Sequence, residues 1–191
     1  MNSKTKLSKH IILKVSAELI RTKSFSQVSM RSIAQKLDVK AASLYNHISS
    51  KNEILETLIF ECVDIFMDTI EQTKQKQVST EEKLIEIIQT HISLALNAPH
   101  QFAILNKDWI FLNEVQKQIF VQKRIQYEND LRLIIEEGIE KNEIKNSNPD
   151  LIIYLILSSL RTLHLWYERK DVKSTDFKTE IPKLILSGVL R

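Results

Sequence analysis

The scarcity of glycine constrains the fold of this chain more than any other feature of its sequence. Only Gly138 and Gly188 occur among 191 residues, whereas average usage would give roughly 13 glycines. Hairpins and bulges of sheet proteins need glycine, and phosphate-binding loops need two or more close together. The sequence therefore excludes a P-loop, a GxGxxG dinucleotide turn and the GxSxG elbow of many hydrolases.

Apolar residues recur with helical spacing along the whole chain, as they do at Leu55, Leu58, Ile59 and Cys62. The segments Ser50–Glu53 and Ser79–Glu82 each fit a capping box, which marks the start of a helix. We therefore predict an all-α fold. It should contain about nine helices, at roughly 8–22, 29–36, 40–47, 51–74, 80–97, 100–110, 114–141, 149–169 and 176–188.

Charge divides the chain into two unequal parts. Residues 1–51 carry ten lysines and arginines against two acidic residues, a net charge of +8, so the remaining residues carry −5. A basic segment joined to an acidic one suggests that the basic segment faces a polyanion such as nucleic acid. A solvated basic face is the alternative, and charge alone does not separate the two.

The cysteine content and the hydropathy of the chain indicate its cellular compartment. Cys62 is the only cysteine, so no intrachain disulfide can form, and its position in an apolar stripe favours buried packing. No apolar run follows the N-terminal lysines, as a signal peptide would require. The longest wholly apolar run, Leu151–Leu157, is too short to span a bilayer. We expect a cytoplasmic protein.

The predicted helix 149–169 is apolar around its circumference, and the last helix, 176–188, has an apolar face wider than one stripe. A helix of this kind is buried on every side. In so small a chain, one side could meet the protein's own core and the other a second copy, which predicts a homodimer through these two helices. The alternative is a central helix that its own domain wraps completely.

Two short helices, Ser29–Lys36 and Lys40–His47, are separated by the tight turn Leu37–Val39. This arrangement is typical of a helix-turn-helix, whose second helix enters the major groove. That helix needs small side chains next to the bases, groups on its rim that reach phosphate, and an apolar inner face. The candidates are Ala41, Ala42 and Ser43 for the bases, Lys40, Tyr45, Asn46 and His47 for the rim, and Leu44 and Ile48 for the inner face.

The segment SMRSIAQKLDV (29–39), followed by ASLYNHISSKNEIL (42–55), resembles the TetR family of bacterial transcriptional regulators. The resemblance covers about residues 8–55, and beyond them only a shared helical plan is expected. It implies an N-terminal three-helix DNA-binding domain at 1–50, followed by a helical effector-binding and dimerisation domain at 51–191.

The resemblance also implies roles for individual residues in binding DNA. Ser29 would cap the second helix and contact phosphate, and Arg31 would contact the backbone of the DNA. Tyr45, His47 and Lys51 match positions that hold phosphate. The base-reading positions at the start of the recognition helix would be Lys40, Ala41, Ala42 and Ser43. Other roles remain open: Tyr45 could belong to the core, His47 could cap its helix, and Arg31 and Lys51 could be ordinary surface charges.

Two positions depart from the family pattern. Asp38 stands in the turn between the second and third helices, where the family often has glycine. Ser24 stands before Phe25, where glycine is again usual. Aspartate tolerates the left-handed conformation better than most residues, so we expect the turn to form.

The chain has no recognisable catalytic or metal-binding pattern. No two of its five histidines lie three to five residues apart, and it has one cysteine, so we expect neither a metal site nor an enzyme and infer no cofactor. The C-terminal region instead predicts a mostly apolar effector pocket. Its candidate lining residues are Phe66, His91, Phe102, Trp109, Tyr127 and Tyr154. His91 stands out because it lies on an apolar stripe, although a hydrogen-bonded core histidine is the alternative.

These observations predict a homodimeric, ligand-responsive repressor that binds a pseudo-palindromic operator in double-stranded DNA. The effector is an unidentified small molecule, and no membrane partner is expected. An activator fits the sequence equally well. The alternative from another class is a helical ligand-binding or adaptor module that does not bind specific DNA.

Overall fold

The computed structural model describes residues 7–167 and 174–191, and within these ranges the chain is helical without any β-strand. The predicted all-α fold is confirmed. The α-helices are α1 (Lys9–Lys23), α2 (Met30–Lys36), α3 (Ala41–Tyr45), α4 (Lys51–Lys74), α5 (Thr80–Asn97), α6 (Pro99–Lys107), α7 (Glu114–Glu140), α8 (Pro149–Arg161), α9 (Leu163–Tyr167) and α10 (Ser174–Ser187). Two 3-10 turns, η1 (Phe25–Gln27) and η2 (Asp108–Phe111), complete the described elements. We call α1–α3 the head and α4–α10 the body.

Two predicted helices of the body differ from the observed ones. The helix predicted at 149–169 ends at Arg161, and α9 follows after Thr162, so the described ranges hold ten α-helices; residues 168 and 169 lie outside them. An apolar pattern on all faces cannot reveal such a break, because every register looks equally buried. The helix predicted at 100–110 ends at Lys107 and tightens into η2.

Side-chain caps set the starts of the body helices. Ser79 and Glu82 form the predicted capping box at α5, each side chain binding the backbone N–H of the other residue. At α4 the prediction is only half right. Ser50 accepts a hydrogen bond from the Glu53 N–H, but the Glu53 carboxylate accepts one from the N–H of Ser49, 2.7 Å away, and not from Ser50.

The body core lies between α4, α5 and α7. Fully buried side chains from these helices meet there, among them Ile59, Ile70, Leu84, Ile88, Leu131 and Ile135. Cys62 lies in the same core, and burial raises the pKa of its thiol to about 12. The predicted packing role of this cysteine is confirmed.

Close helix packing explains one of the two glycines. At Gly138, α7 approaches the start of α5 so closely that a Cβ atom would lie 2.7 Å from Thr80 Cγ2 and 2.9 Å from Ile144 Cδ1. With a larger residue at this position, the side chains of Thr80 and Ile144 would have to shift.

The outer face of α8 stays uncovered in the single chain. Ile156 and Leu160 point into the body, whereas Tyr154 is 73% exposed and Leu151 is 64% exposed. Leu184 of α10 is 68% exposed. The alternative that this domain wraps the α8 helix on every side is therefore wrong for one chain.

Candidate DNA interface and effector cavity

The head has the geometry of a helix-turn-helix. Ile33 and Ala34 of α2 and Leu44 of α3 are buried, and Ile48 is buried just after α3, so the inner faces anchor as predicted. Ser29 caps α2 by accepting a hydrogen bond from the Ser32 N–H at 3.1 Å. The recognition helix is shorter than predicted, because α3 spans Ala41–Tyr45, and His47 lies in the turn that follows it.

The turn between α2 and α3 uses the conformation that the sequence suggests. Asp38 has a φ of 54°, in the left-handed region that glycine adopts most easily. Ser24, at the other position where the family pattern has glycine, has a φ of 76°. The chain therefore keeps the backbone shape at both places without glycine.

Most of the predicted DNA-contacting residues are exposed on the head. Tyr45 is 54% exposed, so its alternative role as a core residue is wrong. Ala41, Ser43 and Lys51 are partly buried. The exposed members of the set are Ser29, Arg31, Lys40, Ala42, Tyr45, Asn46 and His47. Their contacts with DNA remain predictions.

Lys51 has a partner within the chain that the sequence did not reveal. Its Nζ donates a hydrogen bond to the carbonyl oxygen of Phe25 at 3.0 Å and lies 4.2 Å from the centroid of the Phe25 ring. The first residue of α4 thus ties the body to the head. A contact between Lys51 and phosphate remains a prediction beside this observed role.

The body encloses a cavity of about 350 Å³ between α4, α5, α6, η2, α7 and α8. This size lies at the lower end of the range for small-molecule sites. Five of the six predicted effector residues line it: Phe66, His91, Phe102, Trp109 and Tyr127. The sixth, Tyr154, does not, because it lies on the outer face of α8; Leu157 and Arg161 reach the cavity from that helix instead.

The interior end of the cavity carries a neutral polar pair. His91 Nε2 lies 3.0 Å from the hydroxyl of Tyr127, and the His91 ring stacks on Phe66 with centroids 4.2 Å apart. Burial, and secondarily the charge of Arg161, lower the pKa of His91 to about 3. Burial also raises the pKa of Tyr127. Both groups are therefore uncharged at neutral pH, and His91 is at once a hydrogen-bonded histidine and a lining residue.

Charged residues at the cavity were missed by the sequence reasoning, which searched for aromatic side chains. Lys123 forms an ion pair with Asp64 at 3.3 Å, and Arg124 with Glu128 at 3.1 Å. Arg161 lines the same cavity, and none of the residues described forms an ion pair with it. A signal was present in the sequence, since Arg161 is the first charge after ten uncharged residues.

Two other kinds of site are absent from the described ranges. No group of three or more histidine, cysteine, aspartate or glutamate side chains there could hold a metal ion. No helix in that part of the chain is long and apolar enough to cross a lipid bilayer.

Comparisons with known proteins agree with this geometry. The sequence profile described as "Tetracyclin repressor-like, C-terminal domain" matches residues 77–189, more than half of the chain, and "Bacterial regulatory proteins, tetR family" matches residues 12–58. The Fatty acid metabolism regulator protein of Bacillus subtilis (strain 168) is 28% identical over 139 residues, which cover 70% of this chain and 69% of that protein.

Solved structures share the fold. The ketosteroid transcriptional regulator KstR2 of Mycobacterium tuberculosis superimposes with a TM-score of 0.87 at 16% identity, covering 98% of this chain and 97% of its own. AibR, solved with isovaleryl coenzyme A and operator DNA, gives a TM-score of 0.77 at 18% identity and covers 92% of this chain and 96% of its own. With a helix-turn-helix head, a cavity-bearing helical body and both profile matches, this chain belongs to the TetR family of bacterial transcriptional regulators.

Proposed function

We propose that this regulator is a homodimeric repressor that leaves its operator when a small molecule fills the body cavity. The observation that carries the proposal is the combination, in one chain, of an exposed helix-turn-helix surface with a cavity whose lining helix α4 starts at the head. The complex of AibR with isovaleryl coenzyme A and operator DNA supports this combination of ligands for the fold.

The DNA interface would be the exposed surface of the head. Small side chains at Ala41, Ala42 and Ser43 would let α3 approach the base edges, while Tyr45 and Arg31 would reach phosphate. The net charge of +8 in residues 1–51 supports binding to a polyanion. Lys40, Asn46 and His47 would complete the contacts around the rim.

The dimer would form through the uncovered apolar faces of α8 and α10, close to the predicted segments 149–169 and 176–188. Exposed apolar patches of this kind mark interaction sites. Two heads joined in this way would face successive major grooves, with half-sites about 34–36 Å apart or a multiple of that distance.

The effector would be an amphipathic anion. Its apolar part would fill the aromatic cavity, its carbonyl or hydroxyl group would meet His91 and Tyr127, and its negative charge would pair with Arg161. The names of the relatives, which mention fatty acid metabolism and isovaleryl coenzyme A, support an acyl compound. An apolar pocket with a few placed polar groups is the common pattern of such sites.

The proposal also includes the domain organisation of the chain and its location in the cell. Residues 1–50 would form the DNA-binding domain and residues 51–191 the effector and dimerisation domain. The protein would act by binding alone, without a cofactor or catalysis, and in the cytoplasm where the DNA is. The regulators among its relatives support these points.

A binding experiment tests the function. Genomic fragments would be selected with the purified full chain, and the apparent Kd for a selected duplex would be measured between 50 and 200 mM salt. We expect about a hundredfold or greater weakening over this range if the dimer neutralises several phosphates. A chain that selects no fragment at low salt would support the alternative, a helical module without specific DNA binding. The position of the operator relative to the promoter would separate a repressor from an activator.

A second assay tests the effector class. Octanoyl coenzyme A, octanoate, octanol and octylamine would be titrated against the free protein by calorimetry. We expect the two anions to bind more tightly than the alcohol and the amine, and Arg161→Gln to remove that preference. Arg132→Gln is the matched control, because it removes the same charge from α7 outside the cavity lining. Equal binding of octylamine and octanoate would contradict this part of the proposal.

A further inference from the structure

We propose that Phe25 is the residue through which the cavity controls the head, and that Asp108 and Phe111 of η2 are its positioning residues. This inference rests on the function proposed above and names the contacts that regulate it. It starts from one observation: two elements that line the cavity, α4 and η2, both reach the same residue of the head.

Phe25 is held from two sides. Lys51, at the start of α4, donates a hydrogen bond to the Phe25 carbonyl and stands over the ring. From η2, the Phe111 ring packs against the Phe25 ring with centroids 5.5 Å apart at an interplanar angle of 34°. Phe25 is almost fully buried. Phe25 therefore cannot move without a change in α4, in η2 or in both.

Asp108 adds a buried carboxyl group to η2. Its residue is only 4% exposed, its Oδ1 has no hydrogen-bond partner among the described residues, and burial raises the pKa of its carboxyl group. The charge of Lys107 and, after it, the backbone N–H of Phe25 oppose this shift and favour the charged form. Keeping a poorly satisfied carboxylate buried costs free energy, so such a group calls for a reason beyond packing. Holding the Phe25 backbone supplies that reason.

The cavity reaches these contacts through Trp109. Trp109 lines the cavity and stacks on Phe120 of α7, with ring centroids 5.3 Å apart. It stands between Asp108 and Phe111 in a turn of only four residues. A ligand that moves the Trp109 ring must therefore shift the residues that hold Phe25. On the other side, α4 contributes Phe66 to the cavity and Lys51 to Phe25, so both routes from the ligand end at one residue.

Phe25 is also connected directly to the helix-turn-helix. Phe25 opens η1, and Val28, also buried, leads straight to Ser29, the N-cap of α2. Just before Phe25, Ser24 holds a φ of 76° and a ψ of 153°, a backbone conformation that side chains other than glycine rarely adopt. The position of Phe25 thus sets where the helix-turn-helix begins. A displacement of Phe25 would tilt α2 and α3 relative to the body.

The test measures communication between DNA and the cavity without needing the natural effector. In a Trp166→Phe background, Trp109 is the single tryptophan, and its emission reports the cavity. A duplex selected from genomic fragments by the parent protein would be titrated while DNA binding is followed separately by anisotropy. We expect DNA binding to shift the Trp109 emission. In Phe111→Ala and in Asp108→Asn, that shift should fall by at least half, while the apparent Kd for the duplex changes by less than about threefold.

Ile110→Ala is the matched control, because Ile110 belongs to the same turn and is 51% exposed. It should keep the full emission response. Should Phe111→Ala fail to fold, Phe111→Leu removes the ring contact with a smaller loss of volume. The proposal is overturned if Asp108→Asn and the folded Phe111 variant both keep the parental response, or if Ile110→Ala loses it to the same extent. If the parent protein selects no DNA at all, the proposed function fails and this coupling fails with it.

Octanoyl coenzyme A provides an independent second readout. Hydrogen exchange of the segment 24–29 would be followed with and without this probe in the parent and in Asp108→Asn. A ligand that lowers DNA affinity by shifting the protein between two conformations also changes the population of those conformations when DNA is absent. We expect a change of exchange rate in the parent and less than half of that change in the variant, and an equal change in both would count against the proposal.

Discussion

The head and the body differ in how far local sequence determines their structures. In the head, short-range spacing determines the structure: Ser29 caps α2, Asp38 takes the left-handed turn, and Leu44 points inwards from α3. In the body, the long apolar helices do not show from their sequence which face is buried, because this is decided only when they pack against each other. The head therefore presents a surface that can be predicted from local sequence, whereas the cavity exists only through contacts between distant residues. The sharpest test of this difference is a substitution in one region whose effect is measured in the other region.

The largest expected effect starts in the body and is measured at the head. Leu151→Glu together with Leu184→Glu places charges on the uncovered faces of α8 and α10. Sedimentation should then find a monomer, and operator affinity should fall about a hundredfold or more, because two linked heads gain about 10²–10⁴ from bivalence. Val115→Glu is the control, since Val115 is another exposed apolar residue on α7. A double variant that stays dimeric would show that these faces do not form the interface.

The next effect concerns only the body and follows from the lowered pKa of His91, about 3 in the folded chain. Below pH 6.5 the unfolded chain takes up a proton on this histidine that the folded chain does not accept until near pH 3. The free energy of unfolding should therefore fall as the pH falls, by about 2 kcal/mol from pH 7 to pH 5 through this group.

Urea unfolding at the two pH values would measure this loss. His91→Gln should lose about 2 kcal/mol less than the parent over that interval, because it removes the titrating group. His10→Gln, which changes an exposed histidine of α1, serves as the control and should behave like the parent. If His91→Gln and the parent lose the same free energy of unfolding, the pKa of His91 is not lowered in the folded protein.

A smaller effect tests the head surface itself. Tyr45→Phe removes only the hydroxyl, so the fold should be unchanged and operator affinity should fall up to about tenfold, or 1.4 kcal/mol, if the hydroxyl meets phosphate. The loss should be the same on specific and non-specific duplexes, since phosphate contacts carry no sequence information. Tyr154→Phe makes the same chemical change on the outer face of α8, and it should leave DNA binding as it is once sedimentation shows that this variant is still dimeric. An unchanged affinity for Tyr45→Phe would remove this residue from the interface.

The same contrast explains what the sequence could and could not predict. The helix-turn-helix and its exposed Tyr45 follow from residues within four positions of one another, where helical spacing fixes neighbours. The predicted place of Tyr154 in the cavity is wrong, because an all-apolar helix gives no sign of which face turns inwards. The break at Thr162 depends on how α8 and α9 pack against α5 and α6, which no local pattern encodes. Arg161 stands out in the sequence as the first charge after ten uncharged residues, but its place in the cavity depends on the same packing. The contact of Lys51 with Phe25 could not be predicted, because the two residues lie 26 positions apart; the phosphate contact of Lys51 stays a prediction.

The smallest effect lies at the boundary between the two regions. Ser24 has a backbone conformation that costs residues other than glycine about 1–3 kcal/mol of strain. A glycine avoids this strain but lowers the free energy of unfolding by roughly 0.4–1 kcal/mol, because it gives the unfolded chain more conformational freedom. Ser24→Gly should therefore stabilise the protein by about 0.5–1 kcal/mol in urea unfolding, with little change in operator affinity. Ser26→Gly is the matched control in the neighbouring turn, and it should destabilise, because it adds freedom to the unfolded chain without relieving any strain at position 24. If Ser24→Gly destabilises the protein instead, the backbone before Phe25 is not strained. Strain at Ser24 would then contribute no free energy to a change in the contacts between head and body.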